Sequence, residues 1–160
     1  MDATKLLTQD HEKVRKLLKE LAETSERATK SRTELLQKIA LELKVHTTIE
    51  EEIFYPAFRR AREDSENEKI YFEALEEHRA AGDLVLPDLQ KTAVDSEKFS
   101  GRAKVLKELV EHHADEEEGE MFKRARKIFP GDELEALGEQ LEARKKELMQ
   151  ELAPRRKQAG

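Results

Sequence analysis

The sequence predicts an all-α protein, an up-down-up-down antiparallel four-helix bundle with an additional C-terminal helix. Three observations carry that expectation. Charged residues make up 41% of the 160-residue chain and aromatics only 5%, with heavy use of Ala, Glu, Lys, Leu and Arg, the composition of long amphipathic helices. Apolar residues recur at helical spacing through four stretches of roughly 25–30 residues, joined by short polar links that imply antiparallel neighbours. Most of these links carry helix-start chemistry or a breaker.

The first helix, over 3–25, places Leu7, Val14, Leu18 and Leu21 on one stripe with His11 at its edge. The polar run Ser25 to Arg32 is a connection, and Ser31 with Glu34 forms a capping box that opens the second helix. That helix carries Leu36, Ile39, Leu43, His46, Ile49, Glu50 and Ile53 on one face and runs to about Arg62. Pro56 falls within it and should kink it without ending it, because Phe58 and Ala61 continue the period. A second capping box, Ser65 with Glu68, starts the third helix, whose inner face holds Tyr71, Ala74, Leu75, His78, Ala81, Gly82, Val85 and Leu89, with Pro87 on the opposite face as a second kink. Ser96 or Ser100 caps the fourth, with Val105, Leu106, Leu109, Val110, His113, Glu117 and Met121 facing inward. The breaker Phe129-Pro-Gly-Asp132 ends it, and Asp132 caps a charged fifth helix over Glu133–Leu152. Its stripe of Leu134, Leu137, Leu141 and Leu148 is too narrow for the bundle core, so it should pack across the outside or mediate association. The expected division is a bundle over 1–130 and a charged helix and tail over 131–160, packed on or extending from the same domain.

Composition excludes several functions. The chain has no cysteine, so disulfides, thiolate ligands and cysteine nucleophiles are ruled out. A net charge of −6 argues against a nucleic-acid partner, and the one basic cluster, Arg155-Arg156-Lys157, reads as a solvated end. The N-terminus lacks the pattern of a signal peptide and no apolar run reaches membrane-spanning length. The expectation is a soluble cytoplasmic protein with no membrane partner, a monomer or weak homo-oligomer.

The functional signal is a repeated pair. His46 and Glu50 lie four residues apart and project from one helix face. His113 and Glu117 repeat the pair 67 residues later, and the same offset carries His11 onto His78. The fifth histidine, His112, could pair with Glu116, but the offset and the wheel centred on Leu106, Leu109 and Val110 favour His113 with Glu117. Each of the four histidines falls roughly 20 Å from its nearest turn, so antiparallel packing brings them to one level. Two carboxylates and four imidazoles buried together cost several kcal/mol per unpaired group, and no Lys or Arg lies on the inward stripes to offset it. Metal cations remove the cost. If Glu50 and Glu117 each bridge, the six side chains fill about eight of the roughly twelve positions that two six-coordinate ions need. A bridging oxide or hydroxide takes part of the remainder, leaving room for a small exogenous ligand. Mixed imidazole and carboxylate donors suit iron, with manganese or zinc as substitutes.

As a set, the segments DHEKVRKLL, HTTIEEEIFYP, EEHRAA and HHADEEEGEMF resemble the hemerythrin-like family, the HHE cation-binding domains, over residues 5 to about 128. Ferritin-like di-iron bundles use Glu-x-x-His instead. The resemblance implies a non-haem di-iron centre with His11, His46, His78 and His113 as terminal ligands and Glu50 and Glu117 as bridges. The open coordination positions point to a protein that binds or reacts with O2, NO or H2O2 in sensing or detoxification. An iron-handling module, a reversible O2 binder and a metal-free interaction bundle are the alternatives. Oxygen-carrying members have an extra histidine one turn from the third-helix ligand. Here the flanking residues are Ala74 and Gly82, leaving room beside His78 for water, peroxide or nitric oxide. Tyr71, on the same face, is expected to be a core residue with a polar handle. Glu51, expected to face outward, should matter little when replaced by alanine, whereas Glu50→Ala should lose both metals or their coupling.

Overall fold

In the computed structural model, described for residues 1–154, helical periodicity governs nearly the whole chain. α1 spans Ala3–Ala22 and α5 spans Gly131–Leu152. Between them, α2 runs over 29–61, α3 over 65–90 and α4 over 97–128. Each of these three contains a π-helical segment, respectively Glu50–Phe54, Arg79–Val85 and Glu117–Met121. There is no strand among the described residues. α1 packs against α2 and α4, α3 packs against α4, and α5 lies across α1 and α2.

The apolar faces meet in two clusters rather than one. Leu7, Ile49, Phe54, Phe58, Phe122 and Leu141 belong to the first; Val14, Leu18, Ile39, Leu89, Phe99 and Leu106 belong to the second. In sequence, His11 lies between Leu7 and Val14, and His78 between Ala74 and Ala81. The histidines therefore sit where one cluster gives way to the other, as a polar layer across the bundle. The far end is closed by buried Arg32, which donates to the Val94 carbonyl (2.6 Å) and Ser100 Oγ (2.9 Å) and lies over the Phe99 ring. Arg124 closes the near end through Asp64 (2.8 Å) and Glu66 (3.1 Å). These contacts fix the helix registers that hold the layer level.

Several boundaries differ from expectation. α1 stops at Ala22. α2 starts at Thr29 with Ala28 as an uncapped start, so the Ser31–Glu34 box lies inside the helix. Asp64, not Ser65, caps α3 by accepting from the Asn67 N–H, while Ser96 does cap α4 through the Phe99 N–H. Pro130 holds the N-cap position of α5, and Asp132 sits in its first turn. Val105 is 46% exposed rather than inward; Phe99 and Ala103 fill the face instead. Pro56 and Pro87 each follow a π segment, where a bond spanning five residues replaces the usual one. The widened turn accommodates the ring without ending the helix. The basic cluster at 155–157 lies outside the described residues.

α5 lies on the outside of the bundle yet contributes to its core: Leu134, Leu141 and Leu148 are buried in the same cluster as Phe58. Gly138 takes the place expected of Leu137, which is only partly buried. A Cβ at Gly138 would collide with the Met1 carbonyl and approach the Asp2 backbone to 2.9 Å. Gly138→Val should therefore cost about 1–3 kcal/mol in urea or thermal melts by forcing α5 off the N-terminal backbone. Gly119→Ala, whose added Cβ meets nothing within 4 Å, should instead raise the melt slightly, since alanine is favoured over glycine inside a helix by up to about 1 kcal/mol.

Candidate metal centre

The six side chains singled out by the repeat converge. His11, His46, Glu50, His78, His113 and Glu117 are all at most 8% exposed. They form two overlapping groups whose ligand atoms lie within 4.8 Å of one another: His11, His46, Glu50 and Glu117 in one, and Glu50, His78, His113 and Glu117 in the other. Both groups share both carboxylates. Glu50 Oε1 lies 2.9 Å from His46 Nε2 and 3.2 Å from His78 Nε2. Glu117 mirrors this, with Oε1 3.3 Å from His11 Nε2 and Oε2 3.0 Å from His113 Nε2.

The chemistry of this set fits metal ions. His11 Nε2, His46 Nε2, both Glu50 oxygens and Glu117 Oε1 are buried without a hydrogen-bond partner. They approach one another at bonding distance, yet their directions do not match a donor to an acceptor. Left so, each costs about 1–3 kcal/mol. Divalent cations would take those lone pairs and balance the charge, and a mixed nitrogen and oxygen donor set suits transition metals such as iron.

A second layer of carboxylates holds the imidazoles. Asp10 lies 3.0 Å from His46 Nδ1, Glu77 2.8 Å from His113 Nδ1, Glu51 3.1 Å from His78 Nδ1 and Glu118 3.3 Å from His11 Nδ1. With Nδ1 donating to a carboxylate, Nε2 is presented to the centre as a lone pair once the ring is neutral. Asp10 and Glu77 are separated by the same 67 residues, as are Glu51 and Glu118, so the duplication reaches this layer. The offset could have revealed all four. Glu51 is exposed, as expected, yet its carboxylate also reaches His78 Nδ1 and orients that ring. Without a metal, the neighbouring carboxylates shift all four rings toward the protonated form. Burial works against charge on His46, but Glu50 and Asp10 outweigh it and push the ring up to about 10.

The π segments explain a residue that helical wheels miss. A regular helix returns four residues later, which would bring Phe54 under Glu50. The π segment inserts one residue, with the Tyr55 N–H donating to the Glu50 carbonyl. Tyr55 thereby lands on the centre: its hydroxyl donates to Glu117 Oε2 at 2.5 Å and lies 3.0 Å from His78 Nε2. The equivalent segment of α4 places Phe122 against the His11 ring, the two planes 3° apart. Tyr55 and Phe122 occupy repeat-related positions, so a hydroxyl exists on one side of the centre only. Burial, then the Glu117 and Glu50 carboxylates, raise the Tyr55 phenol well above its ordinary value, keeping it a proton donor. Tyr71 is partly buried, packed against the Tyr55 ring. His112 points outward with its side chain 62% exposed, 3.2 Å from Glu116.

A cavity of about 330 Å³ opens onto all four imidazoles from the side of α2 and α3. Ala81 and Gly82 line it, giving the room expected beside His78. Ala74 does not; it borders a separate pocket of about 20 Å³.

Comparison with known proteins agrees with this geometry. The family model described as the hemerythrin HHE cation binding domain matches residues 2–125. A crystal structure of a hemerythrin HHE cation binding domain-containing protein from Mycobacterium kansasii superposes with a TM-score of 0.81 at 28% identity, covering 94% of this chain and 89% of that one. A curated protein of Nostoc sp., named a DNA nickase, is 24% identical over 160 residues; the chain spans 44% of that protein's length. With the match running from the N-cap of α1 through most of α4, the chain belongs to the hemerythrin HHE cation-binding family.

Proposed function

We propose that this chain is a non-haem di-iron protein that binds or reacts with a small ligand, O2, NO or a peroxide, in sensing or detoxification. The observation that carries the reading is the pair of four-residue groups sharing both carboxylates, with an open cavity against them. His11, His46, His78 and His113 would be terminal ligands, and Glu50 and Glu117 would span the two ions, with manganese or zinc as substitutes. Iron there would supply electron transfer to and from a bound oxygen or nitrogen species. The chain's own residues do the rest. Asp10, Glu51, Glu77 and Glu118 orient the rings. Tyr55 holds a proton at its Oη, 2.5 Å from Glu117 Oε2, and can donate to a ligand on the His78–His113 side. The nickase name describes a protein more than twice as long and adds no nucleic-acid partner here. Among the described residues no helix is long and apolar enough to cross a membrane.

Iron-loaded protein should develop new visible absorption bands on addition of azide or hydrogen peroxide. Spectra that respond to neither, on protein holding two irons, would replace this reading with an iron-handling module.

Metal removal should destabilise the bundle, by about 4 kcal/mol where free metal stood 1,000-fold above its Kd. The metal-free protein should also show a pH trend of known sign. His46 is pushed up to about 10 in the fold, above the ~6.5 of an unfolded chain. Its protonation therefore stabilises the metal-free fold fully below about pH 6.5, and that gain is lost as pH rises through about 10. Thermal melts of chelator-treated protein should fall across that window. Melts of iron-loaded protein, where the ion competes with the proton at Nε2, should not.

Metal titrations should rank the carboxylates. Glu50→Ala should abolish two-metal binding, and Asp10→Asn or Glu77→Gln should weaken affinity about 10- to 100-fold by freeing a ligand ring. Glu51→Ala should give a smaller but measurable loss, since its side chain is 45% exposed.

A further inference from the structure

The cavity beside the centre is too large for the ligands that a metal pair alone would select. At about 330 Å³ it lies in the range of organic-ligand pockets, whereas one water needs only about 10–15 Å³ of such volume. O2, NO or H2O2 would fill a small part of it, and water filling the rest would lie against Val14, Leu43, Leu86 and Val110 on the walls. An occupant with an apolar body would instead bury those surfaces.

Charge at the rim narrows the class. Lys44 and Arg79 line the cavity with Glu51, Glu77 and Asp83. Glu51 and Glu77 are held by His78 and His113, and Arg79 by Glu76. This leaves Lys44 against Asp83, so the rim selects neither an anion nor a cation. The floor is the four imidazoles. Gly82, one turn beyond His78, keeps the space open: a Cβ added there meets nothing within 4 Å. Glycine inside a helix costs about 1 kcal/mol relative to alanine, so the room comes at the expense of helix propensity.

We propose that this cavity admits a neutral organic hydroperoxide, its hydrocarbon body against the apolar walls and its O–OH end against the imidazole floor. This deepens the peroxide reading above and rests on it, because it assigns the oxygen end to the same centre. The ligand class is the one that satisfies both halves of the site, an oxygen head for the metal positions and an uncharged apolar body for the walls.

The test uses zinc-loaded protein, which cannot exchange electrons with the probe, and cumene hydroperoxide, with binding read by calorimetry. Wild-type protein should bind the probe. Gly82→Leu, which fills the cavity without replacing any of the six residues at the centre, should weaken binding at least about 10-fold, or 1.4 kcal/mol. Gly82→Ala should fall between the two, and both variants should keep the wild-type zinc content. Absence of binding by wild type, or equal binding by Gly82→Leu, would overturn the inference. Iron-loaded wild type treated with azide separates the two readings. Azide bands without cumene hydroperoxide binding leave the small-ligand function standing and remove this inference alone. No response to azide or hydrogen peroxide removes the parent reading and this inference with it.

Discussion

Two carboxylates, Glu50 and Glu117, are buried at 0% and 3% exposure, and among the described residues their charged partners are histidines alone. That burial is the constraint on which the rest of the bundle depends. An ionised carboxylate in an apolar interior is costly unless paired, and imidazoles pair it fully only when protonated. The core is consequently split into two apolar clusters with a polar layer between them. The layer is in turn braced by Asp10, Glu51, Glu77 and Glu118. A bundle of this length could bury the same area with one continuous apolar core. Its division marks the midsection as a place maintained for chemistry at a cost in stability.

The duplication makes the two halves of the centre alike, and three departures make them different. Tyr55 has a hydroxyl where Phe122 has none. Asp10, behind His46, is held by Lys145 from α5, whereas its counterpart Glu77 lies beside His112, itself paired with Glu116. The third helix has a π segment after His78 that the first lacks after His11. The two metal positions therefore share donors but not surroundings, and the proton donor and the cavity wall at Gly82 both attend His78.

α5 lies beyond the segment that the family model matches. It is nonetheless joined to the centre, through Lys145 to Asp10 and through Arg144 to Glu52 (2.8 Å), besides burying three leucines in the core. Its contribution is to fix α1 against α2, the two helices that carry His11, His46 and Glu50.

From the amino-acid order alone, the helices, their up-down arrangement and the six converging side chains were legible. Helical period and antiparallel register are local properties of the chain, and a 67-residue offset is visible in any linear reading. The same offset held the four carboxylates behind the histidines, although whether Glu51 points outward or back to His78 depends on the neighbouring helix. Tyr55 could not be read from a 3.6-residue wheel. It reaches Glu117 because a π turn rotates the chain after Glu50, and such a turn is selected by packing across the bundle. Small residues beside His78 already implied open space there, but the place of α5, the close approach at Gly138 and the size of the cavity beside Gly82 were decided by tertiary structure. Each depends on how surfaces distant in sequence meet, and the spacing of residues within one helix does not determine that.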